Sequence, residues 1–513
     1  MNISISTDTL NNIRRGLGFL ALALLLMPLG LLMLLALGDA TTAQPQFSFV
    51  GGANYSHMVD SYLFRLAVRN SFLMTGLALL MVMPLSSLVV RLLAQPGSAR
   101  YLLAVALLVP LAMPVALGTL AWGETFDFFR MDPTMAGRAM FPFALVHTWR
   151  VLPITTVILV APSRLPRWTR GGIAATAAAY WILADVSVVL LLTGGEQFNA
   201  SHVLSSWAFT TAVNSGAIGL GAAMLMTLLI VLRIFAMVLG WLAANLATLA
   251  EDNLDAAGSA PIQTVLTDPN IPILPPRLET AIARNGVRWT VLGLVVGALM
   301  LPVAILLAQL KTPDRSLSSY LDITLLTPYL GWLGATLLLA AGATAVTIFV
   351  APFVGMILAA RHRRVRMSAG SGTVALVLSV LPVAYVALLW LQARSDRLTG
   401  ILRLEGLYIA AAVCLGIGFV AMSQRALNLG RYSTMTVLAM MSLILITQEF
   451  SNATALDNSR THSINTGVVN FIAFAAGTTD AQLATAILAP TLVFVLIYSA
   501  LAGATILLYR KGL

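Results

Sequence analysis

The chain has 513 residues, of which 59% are hydrophobic and only 10% are charged. A soluble domain of this length needs far more charge to cover its surface, so the composition excludes a soluble protein. The formal net charge of +10 does not indicate nucleic-acid binding, because basic residues at the ends of membrane helices give the same excess.

Apolar runs of about 20 residues predict an all-α polytopic membrane protein with about twelve transmembrane helices. The predicted spans are 16–38, 68–93, 101–122, 141–162, 172–193, 215–240, 289–309, 328–359, 373–392, 406–423, 433–450 and 481–509. The first is expected to be a retained helix, since no small-residue cleavage site ends its apolar core. Both termini are predicted to be cytoplasmic, because basic residues then favour the inner segments by roughly two to one.

The sequence also predicts two halves, 1–240 and 289–513, joined by a polar, proline-containing cytoplasmic linker at 241–288. Two prolines and a tryptophan recur with the same spacing in both halves, as Pro84, Pro114 and Trp122 and as Pro352, Pro382 and Trp390. The segment SHVLSSWAF from Ser201 likewise resembles THSINTGVVNF from Thr461. This repetition predicts two parallel six-helix repeats related by an axis along the membrane normal.

Five segments of the first half occur in an informative order: FSFVGGANYSHMVD, RNSFLMTG, VPLAMPVALGTLAW, HTWRVLP and LTGGEQFNAS. In these segments the chain resembles the permease subunits of bacterial binding-protein-dependent ABC importers of the maltose-type, carbohydrate-uptake group. The second half resembles the partner permease more faintly, with QEF at 448–450 where the partner has Trp-Asn-Glu-Phe. The resemblance implies a type I ABC-importer permease fold, with two permeases fused in one chain.

The same resemblance implies partners and exposes a departure from the family pattern. In that family, two cytoplasmic ATPases act through a loop that carries a Glu-Ala-Ala motif on a coupling helix, and a periplasmic solute-binding protein docks outside. Here Pro166 is followed by RWTRGG and then by apolar Ile173, and the segment Ser423–Ser433 of the second half is also short. Both coupling loops are therefore predicted to be missing, which leaves ATP coupling open.

Asp185 is the first candidate for the solute path, because it lies inside the fifth predicted span. A charge there costs about 2.5–3.5 kcal/mol on insertion scales, so such residues usually face a cavity or a partner. The alternative is a structural pair, for example with Arg150. Gln448 and Glu449 occupy the corresponding place near the outer end of the eleventh span. They are candidates for the same path, with a water-exposed interface residue as the alternative.

Thr193, Gly194 and Gly195 are predicted to form a close backbone turn at the outer mouth, since glycine permits positive φ. By resemblance, this turn would lie near the solute path and the docked binding protein, while an ordinary turn between spans is the alternative. Glu124 and Asp127, at the outer end of the third span, are interpreted as a solvated rim.

Other polar residues are interpreted without special chemistry. His202 and His462 match between the halves, but two histidines without a cysteine or acidic cluster do not indicate a metal site. The basic cluster at 361–366 is explained by positive-inside anchoring and contact with anionic lipid. No Walker, metalloprotease or nucleophile-elbow motif occurs, so no enzyme activity, cofactor or metal is expected.

Two interpretations remain open. The first is an importer-type permease that moves a sugar or other small polar solute across the bacterial inner membrane, with its ATPase and binding-protein partners. The second is a permease homologue that lacks ATPase coupling and serves as a membrane subunit or scaffold of a larger complex. The retained outer segments favour the first interpretation, and the two short loops favour the second.

Overall fold

The structure is a computed structural model that describes residues 7–94, 99–133, 139–160, 167–193, 201–256, 285–309, 328–360, 384–394 and 463–476, with single positions at 455, 495 and 499. Its helices are α1 (Thr7–Leu35), α2 (Ala53–Asp60), α3 (Tyr62–Ala94), α4 (Ala99–Ala112), α5 (Val115–Phe128), α6 (Met140–Val160), α7 (Arg167–Ala184), α8 (Ser187–Thr193), α9 (Leu204–Phe209), α10 (Ile218–Ala256), α11 (Asn285–Gln309), α12 (Tyr329–Ala360), α13 (Ala384–Arg394) and α14 (Ile464–Ala476), with a π-helical turn at Thr210–Asn214. Within these ranges the only β-type pairing is an isolated bridge between Gly38 and Phe49.

Five helices in the described part of the chain are long and apolar enough to cross a membrane. They are α3, α6 and the stretches Ile218–Leu239 of α10, Gly286–Ala308 of α11 and Tyr329–Val346 of α12. The number rises to seven if each of two bent helix pairs counts as one span. The protein is therefore an all-α membrane protein. The predicted spans 406–423 and 433–450, and nearly all of 481–509, lie outside the described residues, so the total of twelve stays a prediction.

The predicted span 101–122 is not one straight helix. α4 ends at Ala112, α5 begins at Val115, and the two helices are bent by 104°. Pro114 explains the break, because proline has no N–H to donate and disfavours the helical conformation at the preceding Met113. The predicted span 172–193 is also divided. There α7 and α8 meet at Asp185 with a bend of 43°.

The chain forms two compact units, and each draws on both predicted halves. Unit one comes from 1–61, 208–237 and 337–458, and unit two comes from 62–207, 238–336 and 459–513. In unit one, α1 packs against α13, while in unit two α11 packs against α4 and α5, and α14 packs against α5. The limits of the two halves and of the linker stay a prediction, and α10 continues past residue 240 to Ala256.

Unit two is built around the close packing of α3 against α6. Hydroxyl groups join the two helices, since Ser86 hydrogen-bonds Thr155 and the Thr148 hydroxyl lies 3.5 Å from the carbonyl oxygen of Ala78. Such polar contacts and small side chains hold membrane helices together where lipid removes the hydrophobic driving force. α6 of this pair also packs against α4, α7 and α8, which adjoin the two helix breaks.

Aromatic residues hold α5, the second helix of the bent pair α4–α5, in place in unit two. The Trp149 indole of α6 donates a 2.8 Å hydrogen bond to the carbonyl oxygen of Leu299 in α11. Trp122 of α5 meets Trp149 edge-on, with ring centroids 6.1 Å apart. A Cβ atom at Gly118 would lie 3.3 Å from the Trp149 ring, so a glycine there lets α5 approach closely.

The segment FSFVGGANY folds back onto the chain at the C-terminal end of α1 in unit one. The Asn54 amide donates to the carbonyl oxygens of Ala36 and Gly38 at 3.1 and 2.7 Å. The Val50 N–H donates to the carbonyl oxygen of Leu37 at 2.9 Å, and Gly51 turns the chain at φ 61°. The segment therefore supplies hydrogen-bond donors to the carbonyl groups of residues 36–38, which directly follow α1.

Candidate functional site

Asp185 lies at the break between α7 and α8. Its carboxylate accepts hydrogen bonds from the Ser187 hydroxyl and, at 3.1 Å, from the Ser187 N–H. These local bonds give the backbone an alternative to the helical ladder, which is why an aspartate ends α7 here. The carbonyl oxygen of Asp185 accepts a 2.8 Å bond from the Ser205 hydroxyl, so the freed backbone acceptor is satisfied.

Arg150 of α6 forms an ion pair with this carboxylate. Its Nη1 atom lies 2.7 Å from Asp185 Oδ2 and 3.2 Å from Ser187 Oγ, and the two charged side chains are 5% and 12% exposed. The structure thus shows the pairing that the sequence offered as the structural alternative for Asp185. A carboxylate with three hydrogen bonds and an opposite charge is a firmly held group, and the role of Asp185 in a solute path stays a prediction.

His147 joins this cluster, and the sequence reasoning did not single it out. It precedes Arg150 by one helical turn on α6, is fully buried, and places Nδ1 3.7 Å from Asp185 Oδ2. Neither ring nitrogen makes a hydrogen bond to another described residue. The available signal was the spacing, because polar residues three apart in an apolar helix share one face.

Thr193 is buried at the end of α8. Its hydroxyl donates to the carbonyl oxygen of Val189 at 2.8 Å and lies 3.0 Å from Ser201 Oγ. Gly194 and Gly195, the rest of the predicted turn, lie outside the described residues, as do Gln448 and Glu449. The place of these four residues relative to the Asp185 cluster therefore stays a prediction.

The other predicted polar residues that the structure describes occupy ordinary positions. Glu124 is half-buried and Asp127 is exposed near the end of α5. Burial lowers the pKa of His202 to about 4, and its Nδ1 lies 3.1 Å from Ser206 Oγ. His462 and the cluster 361–366 are not described, and the described residues contain no group of three side chains able to hold a metal ion.

The two segments that resemble each other from Ser201 and Thr461 start a helix in the same way. The first N–H of each helix donates to a hydroxyl on a membrane helix, Leu204 to Ser71 at 2.8 Å and Ile464 to Thr336 at 2.9 Å. The preceding N–H is capped by a hydroxyl three residues on, Val203 by Ser206 at 3.1 Å and Ser463 by Thr466 at 3.0 Å. This shared geometry supports the predicted equivalence of the two segments.

The second residue of each of these helices contacts a broken span. Ser205 of α9 supports the α7–α8 break through Asp185, as described above. Asn465 of α14 accepts a 3.3 Å hydrogen bond from the Ala116 N–H at the start of α5. Backbone groups freed at a break inside lipid need such partners, so α9 and α14 each stabilise one break.

The connection between α6 and α7 is short. α6 ends at Val160 and α7 begins at Arg167, so only residues 161–166 join two helices that pack side by side.

Comparison with known proteins found no match among protein-family models and none among curated proteins.

Proposed function

We propose that the protein is a membrane permease that moves a small polar solute across the bacterial inner membrane. It is built from two permease-like halves of the importer type, with both termini in the cytoplasm. Five segments of the first half carry this resemblance, and the matched starts of α9 and α14 support the repeat.

One observation carries the proposal: two helix pairs break inside apolar sequence, and buried polar side chains lie at the breaks, namely Arg150, Ser187 and Asn465. Lipid-exposed backbone must be hydrogen-bonded within the helix, so broken membrane helices occur where protein groups or a cavity satisfy the freed atoms. Discontinuous helices and intramembrane ionisable residues are typical of solute and ion sites in transporters. A scaffold requires neither the 104° bend at Pro114 nor the Arg150–Asp185 pair.

A second candidate function follows from the α6–α7 connection. Six residues of helix span only about 9 Å at 1.5 Å per residue, too little for a coupling helix and the chain on either side of it. This observation favours a membrane subunit without ATPase coupling in a larger complex. The retained outer segments do not decide against it, because Asn54 and Asn70 both make structural hydrogen bonds.

The two candidates differ in their partners. A coupled importer requires two cytoplasmic ATPase subunits and a periplasmic solute-binding protein, whereas the second candidate requires other subunits of a membrane complex. Both are embedded in the lipid bilayer, and neither involves nucleic acid.

Purification in a mild detergent distinguishes them. If the chain co-purifies with an ATPase whose hydrolysis is stimulated by solute, the scaffold function is excluded. If it co-purifies with a complex that has no ATPase and shows no hydrolysis, the coupled importer is excluded. Solute flux in vesicles containing the purified chain alone then tests whether the permease moves its solute without an ATPase.

A further inference from the structure

Three side chains around the α7–α8 break surround one carboxylate group. Arg150 and Ser187 donate to it, and His147 presents a ring nitrogen 3.7 Å from it. We call Arg150, Ser187 and His147 the carboxylate cradle. The occupant is the side chain of Asp185, which reaches the cradle from the residue that joins the two helices.

The cradle has the charge and donors of a site for a monocarboxylate. Arg150 is 5% exposed, and a buried guanidinium needs a counter-ion because its desolvation is expensive. The Ser187 hydroxyl and N–H supply two more donors of the type that carboxylates accept. One negative charge therefore neutralises the cradle, whereas a neutral solute would leave Arg150 unpaired.

His147 is the independent sign that the cradle can hold more than it does now. Its imidazole is fully buried, yet neither ring nitrogen hydrogen-bonds a described residue. Buried polar atoms of this kind are rare in native proteins, and a missing ligand or water is a usual reason. Asp185 Oδ2 lies 3.7 Å from His147 Nδ1. A ligand oxygen that came closer to this nitrogen would accept a hydrogen bond from the imidazole N–H.

The geometry points to a binding site for small carboxylates, which Asp185 fills as the resident ligand in this conformation and which a carboxylate-bearing solute occupies once that side chain has left it. This inference rests on the proposed function only in naming the solute class. Binding to the cradle is a separate property and is measured without transport.

Chemical rescue tests the site. Asp185→Ala removes a group the size of formate, and Asp185→Gly removes one the size of acetate. Each variant, purified in lipid nanodiscs, is heated while the fluorescence of its nine tryptophans reports unfolding. We expect the unfolding temperature to fall in both variants in sodium chloride. Formate should then restore it best in Asp185→Ala and acetate best in Asp185→Gly, with saturation as the site fills.

The controls separate binding at the cradle from a general salt effect. Wild-type protein, whose cradle is filled, should respond equally to chloride, formate and acetate at matched ionic strength. Asp185→Asn fills the cradle with an amide and should show no rescue. The double variant Arg150→Met/Asp185→Ala should lose the rescue completely, because the counter-charge is gone.

The inference is wrong if carboxylates and chloride act alike on Asp185→Ala and Asp185→Gly. It is equally wrong if rescue survives in the Arg150→Met double variant. Should neither single variant yield folded protein in chloride, purification is repeated in formate or acetate, and failure of both to recover it also contradicts the site. If carboxylates rescue the variants but the wild-type protein moves no solute, the binding site is supported and the transport function is refuted.

Discussion

Replacing Arg150 by methionine removes one partner of the buried pair and keeps most of the side-chain volume. At 2.7 Å between Nη1 and Oδ2, two unit charges attract by about 6 kcal/mol at an effective dielectric constant of 20. Much of this is offset by desolvation, and removing one partner of a buried pair costs about 3–5 kcal/mol. Asp185 keeps its two bonds from Ser187, which favours the lower end of this range. We therefore expect Arg150→Met to lower the free energy of unfolding by about 3 kcal/mol.

The assay is equilibrium unfolding in mixed lipid–detergent micelles by titration with a denaturing detergent, which gives the free energy of unfolding. The double variant Arg150→Met/Asp185→Leu leaves no unpaired charge and should be less destabilised than Arg150→Met alone by about 2 kcal/mol or more. If Arg150→Met lies within about 0.5 kcal/mol of wild type, a range typical of surface changes, the pair is not a buried structural charge and the reasoning fails.

Three further outcomes are expected in the same assay. Thr336→Val leaves the N–H of Ile464 without its acceptor and should lower the free energy of unfolding by about 1–3 kcal/mol. Gly467→Ala places a Cβ atom in a clash with the Trp332 ring and should lower the free energy of unfolding by about 1–3 kcal/mol through overpacking. Burial lowers the pKa of His202 to about 4, so acid protonates the unfolded chain first. Stability should therefore fall by up to about 3 kcal/mol as pH drops from about 6.5 to about 4, and His202→Gln should flatten this dependence.

Matched variants show whether these effects come from the named contacts. Thr290→Val removes an exposed hydroxyl that bonds only within its own helix and should be nearly neutral. Gly76→Ala meets nothing within 4 Å and should be neutral or stabilising, since alanine favours helix. His57 is exposed, and His57→Gln should leave the acid dependence of stability intact. If a control changes stability as much as its partner variant, the corresponding contact does not explain the effect.

Hydropathy was enough to predict the class of fold. Long apolar runs indicated an all-α membrane protein. The described helices α3 and α11 cover the spans predicted at 68–93 and 289–309, and α6 covers all but the last two residues of the span predicted at 141–162. The bend at Pro114 was not predicted, although proline was noted there. α3 continues through Pro84 and α6 through Pro153. Whether proline breaks a membrane helix depends on partners for the freed groups, and one such partner, Asn465, lies far along the chain.

The candidate site was predicted in part. A lone carboxylate in an apolar span suggested Asp185, and Arg150 was named as its structural partner, which the structure shows. His147 was missed because an uncharged imidazole in an apolar helix has little effect on hydropathy. The sequence also gave no indication that each compact unit draws on both halves, since hydropathy carries no information about which spans pack together.

Flux through vesicles that contain only this chain tests the proposed transport function most directly. Purified protein is reconstituted into liposomes, which are exposed to osmotic gradients of small polyols, amino acids and monocarboxylates while light scattering follows volume recovery. We expect the volume to recover faster than in protein-free liposomes for at least one solute. In Arg150→Met the recovery rate should fall back to that of protein-free liposomes. Recovery at the protein-free rate for every solute, with the protein folded in the bilayer, would contradict the account.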